Sequence, residues 1–373
     1  MIKSISDPAM SLPQLNITPR ADNGGEKIQE EEHSNKPDFT EKESQMLTLQ
    51  DFDIMAAVGF GGFGRTFFVE HIETKKIYAL KAMDKMNKFR SNIAKLGRNE
   101  MAIHKELSSP FIIQYHASFE TPRWIGLVME LACKENLMEF STRHWNTMNA
   151  KVKKFFLAEI LLAIKYLHEK DIAHRDIKNE NVLLSATGHA KLADFGFAIE
   201  GMTADKTIKS SLGTPACTAP EVFNGIGYTR ACDIWSYGIA VFELMTLTSA
   251  IVEKDERKIR RMICGIKDCN VDFPVRKWNE DGNGYDLVRK CLQFEDERLT
   301  IEEIQAHPFF KDTKWSRLHE KFHRDTSKFE IMKREDFPGP IFPKNCDCLL
   351  AKCICEENQG ELQNDEIING DTE

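Results

Sequence analysis

Residues 174–181 read His174-Arg175-Asp176-Ile177-Lys178-Asn179-Glu180-Asn181, and the apolar run Val182-Leu183-Leu184 follows at once. A carboxylate, a lysine and an amide thus sit close together just before a strand-like segment. Such a trio suits phosphoryl chemistry. Asp176 can accept a hydroxyl proton and orient the nucleophile, Lys178 can neutralise a transferring phosphoryl group, and Asn181 can ligate a metal ion. Asp194-Phe195-Gly196 follows the strand-like Ala190-Lys191-Leu192-Ala193, and Asp194 offers a second hard oxygen to Mg²⁺. Either motif alone also reads as a polar turn; their ordered combination does not.

Working back toward the N-terminus, Gly59, Gly61 and Gly64 form G-x-G-x-x-G between two strand-like stretches. Glycine lets backbone amides approach a phosphate closely. Strand signals on both sides argue against a dinucleotide site, which needs a helix after the loop. In Lys76-Ile77-Tyr78-Ala79-Leu80-Lys81-Ala82-Met83 the alternation puts Ile77, Ala79, Lys81 and Met83 on one face and Tyr78 and Leu80 on the other. A lysine on an apolar strand is costly unless its ammonium meets an anion. Glu100, in the helical stretch 92–107, is the candidate anion. Residues 111–120 and 124–131 read as two further strands. Beyond 131 the pattern is mostly helical, with Val152, Phe156, Ile160, Ala163 and Leu167 at helical spacing.

The chain has 373 residues, 42% hydrophobic and 29% charged, enough for two lobes with tails to spare. The formal charge of −8 is concentrated in the ends: −4 over 1–46, −6 over 344–373, and +2 over the body between. No basic block suggests a nucleic-acid partner. No uncharged apolar run reaches transmembrane length, the N-terminus lacks a signal-peptide core, and position 2 is Ile2, which excludes myristoylation there. Ten cysteines in this length do not make a disulfide scaffold. The expectation is a soluble cytoplasmic protein, with nuclear entry and oligomeric state open. Residues 1–51 read as a flexible arm, 52–310 as the folded body (lobes 52–130 and 131–310), and 311–373 as a polar extension.

These motifs, in this order, resemble those of eukaryotic protein kinases over roughly residues 52–310. Ala219-Pro220-Glu221, Asp233-Ile234-Trp235-Ser236-Tyr237-Gly238 and Arg298 extend the match. The resemblance implies an α+β, two-lobed kinase fold: a small antiparallel-sheet N-lobe with one main helix and a larger, mostly helical C-lobe. It implies a buried Arg298–Glu221 ion pair. It also implies ATP and Mg²⁺ as cofactors and transfer to serine or threonine hydroxyls of protein substrates. Asp176, Lys178 and Lys81 are then the catalytic set, with Asn181 and Asp194 as metal ligands. The nucleotide site comprises Val58, Gly59, Phe60, Gly61, Gly62, Phe63, Gly64, Thr66, Ala79, Lys81, Glu100, Met129, Glu130, Ala132 and Leu183. Lys178 and Thr214 match the Ser/Thr rather than the tyrosine branch.

Tyr78-Ala79-Leu80-Lys81-Ala82-Met83 and Gly188-His189-Ala190-Lys191-Leu192-Ala193-Asp194 look most like the AGC group, with the citron, Rho-associated and myotonic-dystrophy kinases as a narrower comparison. Arg175 implies control through the activation segment, where Ser210 and Ser211 are candidate phosphorylation sites and Thr214 the contact to Asp176. Glu180 and Glu243 fall where some AGC kinases read basic residues upstream of the acceptor, while Asn136 replaces a third carboxylate. Against the family pattern, Thr66 replaces a valine that packs on adenine, His104 takes the place of a bulky apolar residue in the regulatory spine, and Asn179 and Cys217 replace a common proline and tyrosine. They raise a second reading, a low-activity nucleotide-binding pseudokinase scaffold. In the tail, Cys346, Cys348, Cys353 and Cys355 fit three states: a zinc site, palmitoylation or unmodified thiols.

Overall fold

The computed structural model describes Phe39 and residues 47–60, 64–86, 92–133, 135–146, 148–210, 212–225, 227–251, 253, 255, 257–259, 263 and 282–318. The N-terminal half builds one five-stranded sheet. Strands β1 (Phe52–Phe60), β2 (Arg65–His71), β3 (Ile77–Asp84), β4 (Tyr115–Glu120) and β5 (Trp124–Met129) lie in the order β1-β2-β3-β5-β4, every pair antiparallel. Helix α1 (Ile93–Lys105) connects β3 to β4. The alternation in β3 holds as the sequence predicts. Tyr78, Leu80 and Ala82 join Phe52, Phe67 and Trp124 in an apolar layer on one face, and Lys81 turns to the other. Leu49 is buried in that layer, and Leu47 and Phe39 pack on its edge. The end of the stretch whose composition reads as an arm is therefore held against the sheet.

Residues 111–120 do not form one strand. β4 begins only at Tyr115. The preceding backbone pairs elsewhere: Ile113 N–H donates to Leu192 O at 3.0 Å, and Leu192 N–H donates to Phe111 O at 2.8 Å. A continuous apolar run states that a segment is buried but not which partner pairs with it. Here the partner is a short strand of the other lobe, so Phe111–Gln114 ties the lobes together.

The C-terminal half contains α2 (Leu137–Arg143), α3 (Ala150–Glu169), the hairpin β6 (Val182–Leu184) and β7 (Ala190–Leu192), α4 (Pro220–Asn224), α5 (Cys232–Thr246), α6 (Asn283–Cys291) and α7 (Ile301–Ala306). Asn149 caps α3 by accepting from Val152 N–H at 3.1 Å. Phe156, Ile160, Ala163 and Leu167 are buried in one large core with Val182, Leu192 and most of α5. The Tyr237 hydroxyl donates to Leu157 O at 3.0 Å and locks α5 onto α3. Among the described residues no helix is long and apolar enough to cross a membrane, and no cluster of three or more His, Cys, Asp or Glu could hold a metal ion.

The Arg298–Glu221 pair forms as the resemblance implies. Two guanidinium nitrogens reach the two carboxylate oxygens at 2.7 and 3.1 Å, and Nη1 also donates to Ala231 O at 2.8 Å. The guanidinium lies 5.4 Å from the Trp235 ring centroid. Removing one partner of a buried pair strands the other charge, at a cost of about 3–5 kcal/mol. Glu221→Gln is expected to destabilise the C-terminal lobe by about 3 kcal/mol. Urea unfolding followed by tryptophan fluorescence measures it; an unchanged midpoint would show that water already reaches the pair.

Candidate active site

Lys81 occupies the junction of the two lobes. Its ammonium donates to both oxygens of Glu100 on α1, at 2.7 and 2.9 Å, and to Asp194 Oδ1 at 2.8 Å. Burial alone would lower its pKa, but the carboxylates of Asp194 and Glu100 more than offset that and hold it above the ordinary lysine range. Burial likewise pushes Asp194 upward, and the Lys81 charge overrides it, leaving the carboxyl below its usual value. Burial pushes the Glu100 carboxyl up against the opposing pull of Lys81. Asp194 adopts a left-handed backbone (φ 64°), and its Oδ1 accepts the Gly196 N–H at 3.2 Å. A non-glycine residue rarely adopts that conformation, and such strain clusters at functional sites.

The second cluster surrounds Asp176. Its Oδ1 accepts from Thr214 N–H at 2.9 Å and the Thr214 hydroxyl at 2.6 Å; its Oδ2 accepts from Lys178 at 2.8 Å and Asn181 Nδ2 at 2.9 Å. Lys178 also donates to Thr214 Oγ1 at 2.6 Å. Burial works against the charge on Lys178, but the Asp176 carboxylate keeps its pKa raised. Gly213 permits the close approach: it sits at φ 122°, and a Cβ there would lie 2.6 Å from Arg175 O. The loop is held from beneath by Asp233, which is fully buried and accepts His174 N–H at 2.9 Å, Arg175 N–H at 2.8 Å and His168 Nε2 at 2.9 Å. Burial opposes the Asp233 charge, but those hydrogen bonds leave its pKa lowered. Ala193 N–H donates to Asn181 O at 2.9 Å, which brings Asn181 beside Asp194.

Gly59, Thr66 and Lys81 are register partners in succession across β1, β2 and β3, so they share the cleft face. Gly64 must be glycine on this fold, since a Cβ would lie 2.5 Å from Ala82 O. Ala79 is half-buried opposite Met129. Met129, Ala132, Ala193 and Leu183 form one apolar patch. Among the described residues the Glu130 carbonyl and Ala132 N–H have no partner, which leaves a donor and an acceptor beside that patch. The Glu130 side chain faces away from them. It accepts from Lys191 at 2.6 and 2.9 Å and from Gln114 N–H at 2.7 Å. Val58, Gly59 and Phe60 close β1, whereas Gly61, Gly62, Phe63, Ser211 and the four tail cysteines lie outside the described residues.

Sequence reasoning passed over Lys191, although it meets the test applied to Lys81: a lysine on an apolar strand that needs an anion. It also missed Asn99, whose Nδ2 donates to Ala198 O at 2.8 Å and ties α1 to the segment after Asp194. Asn179 is buried and donates to Ala240 O at 3.0 Å, a role its replacement of proline did not announce. His104 is fully buried, its ring 4.9 Å from Phe195, which in turn lies 5.2 Å from His174. Its Nε2 donates to Ile113 O at 2.6 Å, which fixes the tautomer and leaves Nδ1 bare. The substitution therefore adds a polar contact to a stack where sequence alone suggested only a weakened one.

A buried lysine aimed outward by a helix carboxylate, two oxygen donors side by side and a carboxylate bridged to Lys178 define a phosphotransferase of the two-lobed kinase class. The family model described as protein kinase domain matches residues 52–310. The cAMP-dependent protein kinase catalytic subunit PRKX of Homo sapiens is 30% identical over 351 residues, 88% of this chain and 95% of that protein. Serine/threonine-protein kinase AtPK1/AtPK6 of Arabidopsis thaliana is 33% identical over 300 residues, 79% of this chain and 63% of that one. Protein kinase C, eye isozyme, of Drosophila melanogaster is 32% identical over 280 residues, 73% of this chain but only 39% of its own length. The chain belongs to the protein kinase domain family and is an AGC-like serine/threonine kinase.

Burial lowers the His104 pKa from 6.5 to about 4, so the imidazole folds neutral. Its contribution to stability is complete above pH 6.5 and is lost as pH falls toward 4, because the unfolded chain takes up the proton first. Relative to His104→Leu, the natural chain should lose up to about 1.4 kcal/mol per pH unit across that window. Parallel urea midpoints for the two proteins from pH 7 to 4.5 would refute the assignment.

Proposed function

We propose that this chain transfers the γ-phosphoryl group of ATP to serine or threonine hydroxyls of protein substrates, in a cleft closed by the Lys81–Glu100–Asp194 junction. The observation that carries the reading is the Asp176–Thr214–Lys178 triangle, every edge of which is 2.9 Å or shorter. Adenine fits the patch of Met129, Ala132, Leu183 and Ala193, with its polar edge on Glu130 O and Ala132 N–H. Lys81 then holds the α- and β-phosphates in the direction Glu100 sets.

Asp194 and Asn181 suit Mg²⁺. Asp194 Oδ2 and Asn181 Oδ1 accept no hydrogen bond from the described residues, and the lowered Asp194 pKa keeps that carboxylate charged. Mg²⁺, when bound, neutralises charge on the phosphates. The chain's own groups supply the rest. Asp176 accepts the proton of the incoming hydroxyl, and the acceptor oxygen forms its bond to the γ-phosphorus. The bond from that phosphorus to the β–γ bridging oxygen breaks, and ADP departs. Lys178 balances charge on the three outer oxygens, and Thr214 holds it against Asp176. Positioning and electrostatics thus provide the catalysis.

Control through the activation segment is part of the same reading. Arg175 Nη1 already lies 2.6 Å from Ser210 Oγ, so a phosphate on Ser210 would meet a guanidinium without rearrangement. A basic residue upstream of the acceptor suits Glu180 and Glu243. Asn136 caps α2 by accepting from Glu139 N–H at 2.9 Å, so it adds no charge to that surface.

Asp176→Asn and Lys81→Met are each expected to cut transfer of labelled phosphate to a basic protein at least ~1,000-fold while thermal unfolding stays cooperative. Undiminished turnover in purified Asp176→Asn protein would defeat the assignment, and no turnover in the natural chain would favour the scaffold reading. Burial and the neighbouring Glu180 raise the Glu243 pKa to about 7. The carboxyl is neutral below that value and charged above it. Preference for arginine over alanine upstream of the acceptor should therefore grow from pH 6 to 8, and Glu243→Gln should flatten it. A pH-independent preference in the natural chain would exclude Glu243 from the selection.

A further inference from the structure

We propose that Tyr228 is a positioning residue for phosphoryl transfer, holding residues 207–210 in their productive course while Ser210 carries no phosphate. This rests on the kinase reading above and concerns the regulation of that same site. Tyr228 sits just before α5, at 1% exposure, where its bonds face little competition from water. Its hydroxyl donates to the main-chain carbonyl of Ser210 at 2.6 Å. Arg175 Nη1 donates to that same hydroxyl at 3.1 Å and to Ser210 Oγ at 2.6 Å. The two hydrogens of Nη1 are thereby used, and Arg175 Nε is occupied by Phe197 O at 2.6 Å. Two residues before Tyr228's target, the backbones pair: Ile208 N–H to Tyr228 O at 3.1 Å and Tyr228 N–H to Ile208 O at 3.0 Å.

This clamp lies four residues before Thr214, whose contacts to Asp176 and Lys178 complete the catalytic triangle. Arg175, the other arm of the clamp, is the residue next to Asp176 and is held at φ 66°. Displacement of Ser210 is thus transmitted to Asp176 from both sides. The link needs no phosphate, because Tyr228's hydroxyl bonds a peptide carbonyl that every residue at position 210 retains. A phosphate on Ser210 adds charge opposite Arg175 but does not create the attachment.

The test uses the full chain after phosphatase treatment, with absence of phosphate on residues 203–214 checked by mass spectrometry. Natural protein, Tyr228→Phe and Ser210→Ala are compared. Tyr228→Phe keeps the ring and its packing, so folding is preserved. It is expected to lose ~10-fold in kcat/KM for a serine peptide, with KM for ATP unchanged, since the Lys81 junction and the adenine patch are untouched. Ser210→Ala, which keeps the carbonyl, should lose less. Limited trypsin digestion at the exposed Lys209 reads segment order without catalysis, and Tyr228→Phe should be cut several-fold faster. Equal cleavage rates and equal kcat/KM for natural protein and Tyr228→Phe overturn the proposal. So does natural protein that is active before phosphatase and inactive after it. If no preparation transfers phosphate, the kinase reading falls, and the cleavage rates alone decide whether Tyr228 holds the segment.

Discussion

The Lys81 ammonium keeps its charge where water scarcely reaches, and it does so only because two carboxylates converge on it. An unpaired ammonium there would lose its proton or push the structure apart. Lys81 comes from the sheet, Glu100 from α1 and Asp194 from the segment after β7. Satisfying one charge therefore fixes the mutual placement of three parts of the chain. The contacts around it serve that placement: Asn99 on Ala198, His104 on Ile113, Ile113 on Leu192, and Glu130 between Gln114 and Lys191. The His104 bond steadies Ile113 within the sheet lobe, and the others join that lobe to the helical lobe at different points around the cleft.

The helical lobe has its own fixed point in Asp233. Its carboxylate takes up two consecutive peptide N–H groups, of His174 and Arg175, and so dictates the path of the loop that presents Asp176. The path is strained, with Arg175 in the left-handed region. That strain persists because α5, which carries Asp233, is buried along nearly its whole length and braced by Tyr237 and the Arg298–Glu221 pair. The large apolar core thus has a chemical purpose. It makes α5 rigid enough to hold a backbone conformation that the loop would not keep alone.

Much of this was legible before any coordinates. The alternation of β3 put Lys81 on the face opposite Tyr78 and Leu80, and the order of the acidic and amide residues pointed to phosphate. Local pattern reached its limit where a choice of partner was involved. Phe111-Ile112-Ile113 is apolar whichever strand it joins, so its pairing with β7 was invisible. Lys191 carried the same signal as Lys81 but lacked a motif to draw attention to it. His104 looked like a defect in an apolar stack, because a sequence does not show that the Ile113 carbonyl lies within reach of its ring. Tyr228 is one aromatic residue among many until Ser210 is brought alongside it.

Side-chain chemistry and short-range periodicity are written in the chain itself. They determined the order of the elements, the faces they bury and the inventory of charged and polar groups that could build a site. Tertiary structure decided which of those groups meet. Lys81 and Asp194, Asp176 and Thr214, and Ser210 and Tyr228 are distant in sequence, and their contacts depend on angles and distances between packed elements. A hydrogen bond requires placement within a few tenths of an ångström, and only the closed packing of both lobes supplies it.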